Sequence, residues 1–193
     1  MNYRSYIYQP IPKTGCTTMR KAVSSWDNLS IVVDRPHGEP VDHAFERYCD
    51  IGADKWSKSF KFTFVRNPFS RMVSAWCYLG IKKTFNEFVK EFLTKVKVNN
   101  KETYISNSPE FHVSSYFCSK FHIQDMNYIG RTEKLQEDFN TVCDKIGIPK
   151  QKLPHSNKTD HKHYTKYYDE ETKQIVAEKF AKDIEYFGYK FED

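Results

Sequence analysis

Ile11-Pro12-Lys13-Thr14-Gly15-Cys16-Thr17-Thr18 is the stretch on which the reading of this chain turns. Upstream, Arg4 to Gln9 is rich in Tyr and Ile and reads as a short strand. Downstream, Met19, Ala22, Val23 and Trp26 fall at helical spacing and predict a helix from Met19 to Trp26. A turn holding one glycine therefore joins a strand to a helix. Such a turn aims backbone N–H groups and the positive end of the helix dipole at one spot, which favours an anion. Lys13 adds a mobile positive charge, and Thr17 or Thr18 can cap the helix or bond an oxyanion. The result is a cradle for phosphate or sulfate. The same stretch also reads as an ordinary corner with a surface lysine, because the full pattern GxxxxGK[ST] is absent.

Working outward, Phe60-Lys61-Phe62-Thr63-Phe64-Val65 is the clearest strand, aromatic and β-branched. It runs into Arg66-Asn67-Pro68, where Asn67 suits an N-cap and Pro68 a first helical residue. The following helix turns Met72, Val73, Trp76 and Leu79 inward, while Ser70 and Ser74 share another face. This is a second strand–turn–helix corner, with an arginine at the strand's C-terminal end, the edge where open α/β sheets bind ligands. Asn127 to Gly130 reads as a third such strand, ending in Arg131, and Leu135 to Ile146 as its helix, closed by Gly147.

The rest is supporting structure. Ser30 to Val33 reads as a short strand, and the Pro and Gly of Asp34 to Val41 mark a loop carrying His37. Asp42 to Ile51 reads as a helix with His43 in its first turn. Thr84 to Val98 is an amphipathic helix with a Thr84–Glu87 capping box, and Ser108 to Lys120 is another, carrying His112. Leu153 to Tyr168 reads as a long polar loop, and Asp169 caps a last helix to Phe187. His155, His161 and His163 lie in that loop without paired cysteines, so a basic loop over an anionic ligand outweighs a metal site.

Composition agrees. A chain of 193 residues predicts one domain, 1–193, with a sizeable core. The net charge of +5 suits an anionic ligand, and no nucleic-acid-binding motif accompanies it. The five cysteines have no CxxC spacing and read as reduced thiols of a cytoplasmic protein. No run is long enough for a membrane helix, and the N-terminus has no apolar signal core. The fold expected is three-layer α/β, P-loop-like, with a short parallel sheet of four or five strands flanked by helices.

Four segments, in order, resemble the sulfotransferases that use 3′-phosphoadenosine 5′-phosphosulfate (PAPS), most of all the branch with the carbohydrate sulfotransferases and their small bacterial relatives. IPKTGCTT resembles the 5′-phosphosulfate loop, and FKFTFVRNPFSRMVSAW the 3′-phosphate motif. YIGRTEKLQEDF resembles the next strand–helix segment, and LPHSNKTD with DIEYFGYKF the C-terminal signature. The resemblance implies that Pro12, Lys13, Thr14, Gly15, Cys16, Thr17 and Thr18 hold the 5′-phosphosulfate. It implies that Arg66 and Ser74 hold the 3′-phosphate, that Arg131 lies near the nucleotide, and that Asn157 and Lys158 close over it. Asp42-His43-Ala44 resembles the place of the family's general base, with His37 or His112 as alternatives. An acceptor hydroxyl, on a carbohydrate by resemblance, would attack sulfur in line while the 3′,5′-bisphosphate leaves. Lys13 would neutralise the charge that builds on the bridging oxygen, and no metal is required.

Two departures stand out. Gly15-Cys16 replaces the two glycines of many members, and Glu110 to Cys118 follows the acceptor-side pattern only loosely. Two other classes share part of the pattern. A P-loop-like nucleotide kinase would share the first corner, and a non-catalytic anion- or nucleotide-binding module would share the basic edge.

Overall fold

The structure, a computed structural model, describes residues 5–27, 29–31, 52–80, 82–94, 123–154 and 162–192. Strands β1 (Tyr6–Gln9), β2 (Leu29–Ile31), β3 (Phe60–Val65) and β4 (Tyr128–Arg131) form one sheet in the order β2-β1-β3-β4. All three pairings are parallel, so every strand ends at the same edge. Helices α1 (Cys16–Val23), α2 (Ala53–Lys58), α3 (Pro68–Leu79), α4 (Phe85–Thr94), α5 (Leu135–Ile146), α6 (Glu170–Lys179) and α7 (Ala181–Phe187) surround it. The architecture is the expected three-layer α/β fold.

Strand β3 is central because all six of its residues are buried. A strand covered on both faces needs apolar residues on both, or polar ones with partners. Phe60, Phe62 and Phe64 join Tyr8, Met19 and Val23 of α1, and Phe139 and Val142 of α5, in one core cluster. On the opposite face, Thr63 donates its hydroxyl to the Gln9 carbonyl at 2.7 Å. Lys61 turns its ammonium onto the carbonyls of Trp56 and Ser59, each at 2.9 Å. A second cluster joins Phe69, Met72 and Val73 of α3 to Phe88 and Val89 of α4 and Val176 of α6.

Gly130 shows how closely β4 approaches. It lies in register with Phe64, and a Cβ there would come within 2.4 Å of that ring and 3.1 Å of the Asp138 Cβ. Only glycine lets strand, ring and helix meet.

Most expected elements are present, with shifted ends. β3 and α5 have the expected bounds, and Gly147 closes α5 at φ 75°. Asn67 caps α3 by accepting from the Phe69 N–H at 3.0 Å. The Thr84–Glu87 box is formed: the Thr84 N–H donates to Glu87 at 2.8 Å and the Glu87 N–H to the Thr84 hydroxyl at 3.3 Å. Helix α1 starts at Cys16, three residues before the apolar stripe signals it, because Gly15 caps it. Neither Thr17 nor Thr18 is the cap. The last helical stretch is two helices, since Phe180 leaves helical geometry at φ −108°, ψ 23°. The 153–168 loop is partly anchored. Tyr164 packs buried in the second cluster and the Tyr168 hydroxyl donates to the Phe69 carbonyl at 3.0 Å. The helices expected over 42–51 and 108–120 lie outside the described residues. No described helix is long and apolar enough to cross a membrane.

Candidate functional site

The first corner is built by backbone geometry. Gly15 takes the left-handed conformation, φ 81°, as N-cap of α1, and no side chain caps that helix. A Cβ on Gly15 would also stand 3.0 Å from Leu135 of α5, so α5 backs the turn closely. Lys13 has φ 66°, a conformation that costs a non-glycine residue energy and clusters at functional sites. Thr14 is buried, and its hydroxyl donates to the Ile11 carbonyl at 2.8 Å. Its side chain therefore pins the turn from inside. Pro12 is buried beside it, Cys16 is half-buried, Thr18 is buried and Thr17 is exposed at the helix start. No acidic residue sits in the first turn of α1. The N-terminal end of α1 thus presents N–H groups with no carboxylate of its own first turn beside them, a condition that favours anion binding.

The second corner fastens onto the first. Arg66 leaves the end of β3, and its Nη1 donates to the Lys13 carbonyl at 3.2 Å while its Nε donates to the Ser70 hydroxyl at 3.0 Å. Ser74 lies one turn beyond Ser70 on the same face of α3. The basic groups of the two corners are thereby brought to one place.

The third strand end is occupied differently. The Arg131 guanidinium donates to the Phe187 carbonyl at 2.5 Å and lies over the Tyr189 ring, 4.7 Å from its centroid. Glu133, two residues on, accepts from the Asn67 N–H at 2.7 Å and from the Tyr189 hydroxyl at 3.4 Å. Asn67 Nδ2 reaches the Lys190 carbonyl at 2.7 Å. The segment after α7 is thus clasped to the ends of β3 and β4, and Arg131 is one arm of the clasp.

Burial sets the charges. The Lys13 ammonium is brought down to about 8, chiefly by desolvation; Arg66 lowers it further, while Cys16 and Cys77 pull it up. Burial also lowers Arg66 from its ordinary value, against Glu133 and Tyr189, though it stays cationic. Cys77 is raised, again by burial, with Lys13 opposing. Two cations share a partly desolvated corner, and an anion there would relieve both.

Of the residues proposed from sequence, Pro12 to Thr18 and Arg66 meet at this corner, and Ser74 lies one turn beyond Ser70 on α3. Arg131 sits at the same sheet edge but on the clasp. His43, His37, His112, Asn157 and Lys158 lie outside the described residues. Among the described residues no three metal-ligating side chains gather. Three participants were not foreseen. Ser70 shares a helix face with Ser74 in the sequence pattern, and its place i,i+4 from Arg66 puts its hydroxyl within hydrogen-bonding reach of the guanidinium. Tyr78 meets the Lys13 ammonium 3.7 Å from its ring centroid, a contact from two distant segments with no sequence signal. Glu133 ties β4 to β3, readable only once strand order is known.

A family model described as sulfotransferase family matches residues 3–190. No curated protein and no solved structure matches the chain.

Proposed function

The chain belongs to the sulfotransferase family, and from that premise we propose that it moves a sulfuryl group from PAPS to an acceptor hydroxyl on a carbohydrate. Sulfuryl transfer in general is what the membership states. PAPS as donor, a carbohydrate as acceptor and His43 as base are the finer parts of this reading.

The observation that carries it is the junction of Arg66 with Lys13. A cation at the end of the central strand holds the carbonyl of a second cation, beside a helix N-terminus without a side-chain cap. Residues arranged so fit a group bearing phosphate and sulfate: the Lys13 ammonium is partly desolvated beside the Arg66 cation, and α1 has no acidic residue in its first turn. When bound, PAPS supplies an already activated sulfuryl group. The N–H groups of residues 15–18 hold anionic oxygens, and Arg66 and Ser74 hold the 3′-phosphate. Lys13 sets a positive charge where negative charge develops, a contribution commonly about 10²–10³ in rate. His43 accepts the proton of the acceptor hydroxyl at an imidazole nitrogen, worth roughly 10²–10⁴.

The test is a thermal-shift titration with 3′-phosphoadenosine 5′-phosphate, with ADP and ATP as controls. A ligand bound only by the folded state raises the melting temperature with its concentration. Selective stabilisation by the 3′-phosphorylated nucleotide, lost in Arg66→Ala, is expected. An equal response to ATP would favour the nucleotide-kinase reading, and no response to any of the three would overturn PAPS as donor.

A further inference from the structure

Arg66, Ser70, Ser74 and Tyr78 follow one another at four-residue steps and so form one ridge of α3 and its entry. Arg66 lies at the start of the ridge and holds the Lys13 carbonyl. Tyr78 lies at its far end and holds the Lys13 ammonium against its ring. The lysine is gripped at both its ends, its carbonyl by the residue leading into α3 and its ammonium by the last turn of that helix. We propose that Tyr78 is a positioning residue for Lys13, its ring face fixing the ammonium that the transfer reaction uses.

This proposal rests on the sulfotransferase reading for its consequence in rate, but its geometry stands apart from it. Lysine has four rotatable side-chain bonds, and an unheld ammonium explores many positions before it meets an anion. A ring face attracts a cation through its quadrupole, more strongly where water is thin. Tyr78 is 57% exposed, so its replacement opens no cavity in the core. Among the described residues, the charged and titratable groups facing Lys13 are Cys16 of α1, Arg66 beyond β3, and Cys77 of α3. Arg66 repels the ammonium, and the thiols favour it only when ionised. Among these neighbours Tyr78 is the contact that attracts the ammonium whatever the pH.

The experiment compares wild type with Tyr78→Leu, which keeps apolar cover but removes the ring quadrupole, and Tyr78→Phe, which keeps the ring. Trace labelling with acetic anhydride across pH, read by mass spectrometry on the peptide bearing Lys13, gives the titration midpoint of that lysine directly. In Tyr78→Leu the midpoint is expected to fall by about half a unit. Sulfation kcat should fall about fivefold in the same variant, while affinity for 3′-phosphoadenosine 5′-phosphate stays within twofold. Tyr78→Phe should match wild type in all three. Equal midpoints in wild type and Tyr78→Leu would overturn the proposal, as would Tyr78→Phe behaving like Tyr78→Leu. Failure of wild type to bind the bisphosphate overturns the donor assignment instead, and the labelling comparison still decides the role of Tyr78.

Discussion

The Arg66 guanidinium donates to the Lys13 carbonyl across 3.2 Å, joining two strand–helix corners that lie 53 positions apart in the chain. The same arginine is braced by the Ser70 hydroxyl at 3.0 Å. Its planar fork serves two acceptors at once, one holding the turn and one holding itself. Arg66→Ala should therefore weaken binding of 3′-phosphoadenosine 5′-phosphate by about 10- to 100-fold, in line with about 1.5–3 kcal/mol for a hydrogen bond to a charged group. Arg66→Lys should recover only part of it, because a lysine offers a point charge without the fork. Titration calorimetry on the three proteins checks this, and full recovery by lysine would contradict it.

Lys13 gives the binding reaction a pH dependence of fixed sign. Its ammonium loses its proton near 8 in the ligand-free protein, against 10.5 for an ordinary lysine. An anion favours the charged form, so binding takes up a proton above about pH 8 and weakens as pH rises beyond it towards the ordinary lysine value of 10.5. Below about pH 7 this dependence disappears. Folding runs the other way. Between about pH 8 and 10.5 the unfolded chain holds more protons, so Lys13's contribution makes the ligand-free protein more stable as pH rises through that window. Affinity measured from pH 7 to 10 in wild type and Lys13→Met separates the lysine from the nearby thiols. The slope in that window should be lost in the variant.

Gly130 should not accept a side chain. A Cβ at this position would stand 2.4 Å from the ring of Phe64, which is fully buried beneath α5. Gly130→Ala is expected to cost about 1–3 kcal/mol, the range for overpacking a closed core. Urea denaturation measures it, and Gly130→Ala with Phe64→Leu should regain part of the loss.

The reach of sequence differs by element. The glycine-bearing turn, the Asn67-Pro68 cap and the central β3 are legible because each is a local pattern: φ > 0 at a glycine, a side-chain acceptor before a proline, five aromatic or β-branched residues among six. The start of α1 was misplaced, since Cys16, Thr17 and Thr18 are helical without belonging to the apolar stripe that marks helices. The break at Phe180 was hidden because that residue is itself apolar and buried, so the stripe runs through it. Tyr78 and Glu133 were invisible as participants, for each acts on a partner that only the strand order brings near.

Glu133 and Asn67 make the clasp at the sheet edge a second control point. Glu133 accepts the Asn67 N–H, and Asn67 caps α3 while holding the Lys190 carbonyl. Glu133→Ala strips an acceptor from a buried donor and should destabilise the fold by about 1–3 kcal/mol. Glu133→Gln keeps an acceptor oxygen and should cost less. Because Arg66 adjoins Asn67, the alanine variant should also weaken nucleotide binding, whereas Tyr189→Phe should affect stability alone. Chemical denaturation and calorimetry on the same samples test both expectations.

For the proposed base, His43→Ala should lower kcat by about 10²–10⁴ with nucleotide affinity unchanged. A variant that sulfates normally would send the search to His37 or His112.

Strand order carries a kinetic consequence. β1 pairs on both sides, and its β3 partner is distant in sequence, so the turn bearing Lys13 gains its arginine brace only after a non-local closure. Such high-contact-order pairings come at the slow end of folding. Nucleotide-binding competence should therefore be the last signal to return in a refolding time course, after helical circular dichroism has recovered. A preparation that looks folded by spectroscopy can still be blind to its ligand, and the fraction that binds is the stricter measure of native protein.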